Sequence, residues 1–183
     1  MKSLQDKIYE SDLNEGFYKN AGGTIAHPST KEELKREIRI RLDRGQTNLN
    51  DIDTSKIINM NSLFSDFSKY DLSNLDISKW DVSNVKYMNT MFYDCTSFNS
   101  DLSKWDVSNV EYMNSMFYGC TNFNSDLSKW DVSKVENMNS MFYGCEKFNC
   151  DLSKWNVSRV DKYMSSMFKG AGMKKLPKWY ENS

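Results

Sequence analysis

The chain has 183 residues, with 24 Lys plus Arg against 25 Asp plus Glu and a formal net charge of −1. That is enough for one modest core, and it lacks the basic field that would recommend nucleic acid or an acidic membrane as a partner. No run approaches the length of a membrane-spanning helix, and Met1 to Asn20 is polar with no apolar signal core, so cytoplasmic synthesis is the expectation and standard export is argued against.

In chain order, residues 1–28 form an N-terminal segment. Leu4, Ile8 and Leu13 suggest a short, weakly amphipathic helix, and Asn20-Ala21-Gly22-Gly23 reads as a break. Residues 29–52 hold a stronger helix and a linker. Ser29 or Thr30 can cap it, Glu32 or Glu33 sits three residues later, Gly45 closes it, and Leu34, Ile38 and Leu42 form one apolar stripe. Such a stripe needs a partner, and the expected one is the open first rung of the array that follows, since terminal units of an array normally differ from interior ones. Docking on another protein is the rival reading. Lys31, Lys35, Arg36, Arg39, Arg41 and Arg44 lend the helix a basic cast, diluted by Glu32, Glu33, Glu37 and Asp43.

Residues 53–179 repeat. Trp80, Trp105, Trp130 and Trp155 are spaced 25 apart, as are Met91, Met116 and Met141, and Phe98, Phe123 and Phe148. A fixed period of this size signals a solenoid or another array. The first of five copies is three residues longer than the interior ones. The last gains one residue before Met164, and its Leu176-Pro177-Lys178-Trp179 echoes Leu152-Ser153-Lys154-Trp155. Residues 180–183 are a tail.

Inside one unit, Leu102 to Ser108 alternates Trp105 and Val107 with Lys104, Asp106 and Ser108, as a strand with one buried face would. Val110, Met113 and Phe117 then fall three and four apart, which fits one face of a short helix. Ser108 is its candidate N-cap, and Gly119 lies near its end. The expected rung is therefore a strand plus a short helix, stacked about 4.8 Å from the next. Stacking turns each repeat position into a column. The tryptophans would form an inner aromatic ladder, Cys95, Cys120 and Cys145 a column of reduced thiols, and Cys150 stands where Ser100 and Ser125 stand in other copies. Four cysteines so placed, with no CxxC pair, argue against a disulfide scaffold and a zinc site. Outside, Lys79, Lys104, Lys129 and Lys154 would form one column, and Asp81, Asp106, Asp131 and Asn156 its neighbour. The plain reading of that pair is a self-neutralising solvated lattice. At the far end Lys174, Lys175, Pro177 and Lys178 bracket the last strand-like segment, as residues that discourage edge pairing do, so a monomer is expected.

The repeated MNSMFYGCxxFNxDLSKWDVSxV resembles the BspA-like leucine-rich repeats, in particular the subtype of mycoplasma lipoproteins and many bacterial surface proteins. The resemblance spans Asp53 to about Trp179. It implies an α/β fold, a right-handed leucine-rich-repeat-like solenoid of about five strand-plus-short-helix rungs with an N-terminal helical cap. It also implies a role in binding, often as an adhesin. Those lipoproteins carry a lipid-modified cysteine after a signal peptide, which this chain lacks, so surface anchoring is not carried over.

Nothing calls for catalysis. His27, the one histidine, precedes Pro28 and has no repeated partner, and no P-loop, GxSxG or dinucleotide fingerprint appears. The recurring FNxD of Asn99 and Asp101, Asn124 and Asp126, and Asn149 and Asp151 offers oxygens suited to calcium. The glycine-rich turns of calcium-binding β-solenoids are missing, and asparagine in such returns more often bonds its own backbone. The expectation is a non-enzymatic module with no cofactor and no metal, binding a protein or glycan through Lys79, Asp81, Lys104, Asp106, Lys129, Asp131, Lys154 and Asn156. The alternatives are binding by Tyr93, Tyr118 and Tyr143 on the opposite side, and a structural accessory of a larger assembly, such as a virion or cell-surface complex, held through its N-terminal region.

Overall fold

A computed structural model describes residues 26–160 and 163–181. The helix expected from Leu4, Ile8 and Leu13 and the break at Asn20–Gly23 lie outside the described residues. Among the described residues there are two α-helices, α1 (Lys31–Asp43) and α2 (Lys178–Glu181), a single 3-10 turn at Ser65–Phe67 and no β-strand. The expected rung of strand plus short helix is therefore overturned, and with it the leucine-rich-repeat-like α/β solenoid.

The reason lies in how each unit spends its backbone amides. Between Met113 and Cys120 they alternate. Met116, Tyr118 and Cys120 donate three residues back, to Met113, Ser115 and Phe117, closing successive turns. Met113, Ser115, Phe117 and Gly119 donate instead to Asn137, Asn139, Met141 and Tyr143 of the next unit. A helix would need consecutive amides to bond within one segment, and that condition is never met. The three-and-four spacing of Val110, Met113 and Phe117 reflects turn corners. Ser115 and Gly119 stand at the third position of their turns with φ +53 and +70, the left-handed conformation that type II turns require. Thr90, Ser140 and Ser166 repeat the first of these, and Asp94, Gly144 and Gly170 the second.

The alternating stretch is likewise made of turns. The Asp101 carboxylate accepts from the Ser103 amide and the Trp105 amide bonds the Leu102 carbonyl; five residues on, Asp106 holds Ser108 and Val110 bonds Val107. An aspartate that captures the amide two residues ahead bends the chain twice per unit, which leaves no room for a strand. Ser108, the expected helix cap, is thus the donor in a turn. The residual extended pairing is a set of isolated parallel bridges, such as Tyr87 with Tyr112 and Tyr112 with Asn137.

Side chains complete the stack. Each indole N–H reaches back one unit: Trp80, Trp105, Trp130, Trp155 and Trp179 donate to the carbonyls of Leu49, Ile77, Leu102, Leu127 and Leu152 at 2.9 to 3.1 Å. The continuous ring stack is phenylalanine. Phe64, Phe92, Phe117, Phe142 and Phe168 follow one another with centroids 5.1 to 5.7 Å apart, and Phe98, Phe123 and Phe148 run beside them at 5.7 and 5.8 Å. Such contacts add about 0.5 to 1.5 kcal/mol per pair beyond burial. The tryptophans are buried but tilted against this ladder, so the expected column is present as a row of hydrogen-bonding wedges.

Helix α1 covers the first unit. Thr30 and Glu33 form a reciprocal capping box, and Gly45, at φ +72, ends the segment by donating to Leu42. Leu34, Ile38 and Leu42 are buried in the same core cluster as Ile57, Leu63 and Phe67. Polar ties frame that contact: Lys35 pairs with Asp66, Arg41 with Glu37 and Asp51, Tyr70 bonds Asp43, and Arg39 lies over the Phe67 ring. At the other end α2 replaces the expected strand-like segment, and Tyr180 meets Phe168 edge-on at 5.0 Å.

Replacing Trp130 by Phe keeps an aromatic wedge and removes only the N–H that bonds Leu102. The Leu102 carbonyl retains the Trp105 amide, so the expected loss is about 1 to 2 kcal/mol, read as a lower urea midpoint.

Candidate functional surface

Lys79, Asp81, Lys104, Asp106, Lys129, Asp131, Lys154 and Asn156 are all exposed. Each lysine immediately precedes a stapled tryptophan, so the indole bonds hold the four lysines in one register. The aspartates have a structural task that their exposure does not reveal. Asp81, Asp106 and Asp131 accept from the amides of Ser83, Ser108 and Ser133, and Asn156 does the same for Ser158.

The carboxylates nearest the lysines in electrostatic terms are those three residues earlier. Asp101 and Asp151 are lowered mainly by the amides of Ser103 and Ser153, and Asp126 by that of Ser128; Lys104, Lys154 and Lys129 add a smaller pull. Asp76 is lowered first by Asn50 and then by Ser78, with Lys79 contributing least. The balancing acidic column is therefore Asp76, Asp101, Asp126 and Asp151, the last three being the FNxD aspartates. The signal that would have found it is the Asp-x-Ser spacing, at Asp76 and Asp81, Asp101 and Asp106, and Asp126 and Asp131.

The remaining FNxD oxygens are also committed to the stack. Asn99, Asn124 and Asn149 each accept from the backbone amide one unit on, of Asn124, Asn149 and Lys174. Ser100 and Ser125 accept from Ile77 and Leu102, and Cys150 takes over that role for Leu127 at 3.3 Å. The thiols of Cys95, Cys120 and Cys145 donate to Phe64, Phe92 and Phe117 of the preceding unit. Burial pushes Cys95 and Cys145 up to about 12, Cys120 well above its ordinary value, and the half-buried Cys150 up to about 11.

On another face Tyr93, Tyr118 and Tyr143 stack with centroids 4.7 Å apart and planes within 5°. Lys169 lies over the outer face of Tyr143 at 5.7 Å. The rings are spent on one another, so this column offers edges and hydroxyls to a partner. His27, outside the repeats, donates or accepts at 2.9 Å with Asp53, whose carboxyl is drawn down to about 2, first by Ser55 and then by His27.

Two outcomes follow from these groups. Carboxylates held below their ordinary range give stability that is complete above the unfolded value near 4 and is lost as pH falls through their folded values. The thermal midpoint is therefore expected to be level above about pH 5 and to fall between about pH 4 and 2; Asp126→Asn, which keeps the acceptor, should hold its midpoint, and Asp126→Ala should lower it. A thiol reagent at pH 8 should label Cys150 before the other three cysteines, which should react only on unfolding.

A family model described as mycoplasma protein of unknown function, DUF285, matches residues 39–129 and again residues 67–179. No curated protein and no solved structure matches the chain.

Proposed function

We propose a non-enzymatic binding function for this chain, which belongs to the DUF285 family of mycoplasma proteins of unknown function. The observation that carries the reading is the contrast between the two sides of each unit. Inside, almost every polar group is consumed by stacking; outside, Lys79, Lys104, Lys129 and Lys154 stand exposed in register beside the turn-forming aspartates. A rigid, evenly spaced row of alternating charge suits a partner engaged through many weak contacts, a protein or a glycan. The resemblance of the repeated motif to BspA-like repeats of surface proteins supports an adhesin-like or interaction role over a catalytic one.

Lys104→Glu combined with Lys129→Glu tests the placement, because neither side chain touches the core. The double variant is expected to keep the wild-type melting curve and to lose about tenfold in capture of a partner isolated from the native source. Unchanged capture would move the binding surface elsewhere.

A further inference from the structure

Two kinds of backbone bond join the units: Glu111 and Glu136 donate back to Lys86 and Glu111, whereas alternate amides of the following turn run donate forward to carbonyls of the next unit. Met138, Ser140, Phe142 and Gly144 donate to Tyr163, Ser165, Met167 and Lys169 at 2.7, 3.0, 2.9 and 2.9 Å. In the last unit the matching amides belong to Met164, Ser166, Phe168 and Gly170. Among the described residues none of these four has a hydrogen-bond acceptor. Ser165, Ser166, Lys169 and Gly170 are exposed and Tyr163 is 53% exposed, while the Met164 and Phe168 side chains turn inward, Phe168 against Tyr180 of α2.

Charge gathers on the same unit. Lys169, Lys174, Lys175 and Lys178 are exposed, and the last two line a cleft with Asp151, Ser153 and Pro177. A row of unmatched donors flanked by lysines favours an occupant that supplies oxygens on alternate residues together with negative charge.

We propose that the comb of amides at Met164, Ser166, Phe168 and Gly170, with lysines on the same unit, is a docking edge for an acidic peptide segment of a partner protein. In the interior the matching donors are met by carbonyls at every second residue of the next unit, so a segment that presents its carbonyls to one side at that interval fits, and main-chain bonds of this kind supply affinity while carboxylates supply choice. The site lies at the end of the stack and is independent of the lateral lysine row.

A second copy of the chain is the less favoured occupant. Its matching carbonyls, at Asn59, Asn61 and Leu63, belong to the first unit, which carries α1, and the exposed basic residues Arg36, Arg39 and Arg44 of that helix region would face lysines.

The test is hydrogen exchange on the full chain with a synthetic peptide of about ten residues alternating Thr and Glu, a Thr–Lys counterpart, and a sulfated oligosaccharide. Alone, the four amides should exchange fast while those of Met138, Ser140, Phe142 and Gly144 are protected. The acidic peptide should slow the four by about tenfold or more. The Lys169→Glu, Lys174→Glu, Lys175→Glu triple variant should bind it about tenfold more weakly with protection at Met138 to Gly144 unchanged. Four outcomes would overturn the proposal: binding without protection of the four amides, equal binding of the Thr–Lys peptide, preference for the oligosaccharide, or protection that rises with protein concentration in the absence of peptide.

Discussion

Everything in this chain depends on the division of backbone amides between two destinations. Within Met113 to Cys120, alternate N–H groups close turns in their own unit and the rest cross to the next. Since a buried amide must have an acceptor, this division leaves neither the consecutive donors a helix needs nor the two-way exchange of a parallel ladder. Turns become the regular structure. The left-handed residues at every fourth position, Ser115 and Gly119 in the central unit, are the cost of the arrangement, roughly 1 kcal/mol or more at each non-glycine position.

The contacts between units are reciprocal, which explains why the same side chains recur. Carbonyls that accept a turn-closing amide of their own unit also accept an indole or thiol of the next, so Phe92 takes both Cys95 and Cys120 and Leu102 both Trp105 and Trp130. A carbonyl has two lone pairs, and the stack uses both. Tryptophan and cysteine are thus selected as donors as much as hydrophobes. Glycine recurs at Gly119, Gly144 and Gly170 because the backbone there is left-handed, with φ between +69 and +73, and at Gly119 a Cβ would also collide with the Asp94 carboxylate.

The period, the α1 cap with its Leu34, Ile38 and Leu42 stripe, and the burial of Trp, Phe and Cys were legible in the sequence. These depend on which residues repeat. The secondary structure was not legible, because a run of turns closing at three residues places Val110, Met113 and Phe117 on one side as a helix does, and Trp105 and Val107 inside as a strand does. Periodicity of apolar residues reports which side chains face the core and cannot distinguish hydrogen-bond patterns that share that result. The Asp-x-Ser spacing did distinguish them, through Asp101 with Ser103 and Asp106 with Ser108. On the outer surface, exposure of the eight predicted residues was legible, while the use of each aspartate to hold a serine amide required knowing that the segment turns.

Because the repeated positions are so fully occupied by stacking, specificity has to reside where the copies differ. Asn84, Asn109, Lys134 and Arg159 share one exposed position, and Ser97, Asn122 and Lys147 share another that is half-buried in the first two and exposed in the third. Both series pass from neutral to cationic along the chain. Part of this gradient is absorbed locally, with Lys134 bonding Asn109, Lys147 bonding Asn122 and Arg159 pairing with Glu136. The same series also runs in the direction of the crossing amides, whose unmatched donors emerge at the C-terminal unit. Backbone polarity and side-chain charge therefore reinforce each other at one end, whereas at the other the acidic residues Asp51 and Asp66 are already paired with Arg41 and Lys35 of α1. A stack built from near-identical units is thus polar as a whole: a capped helix covers one end, and backbone donors without acceptors among the described residues emerge at the other.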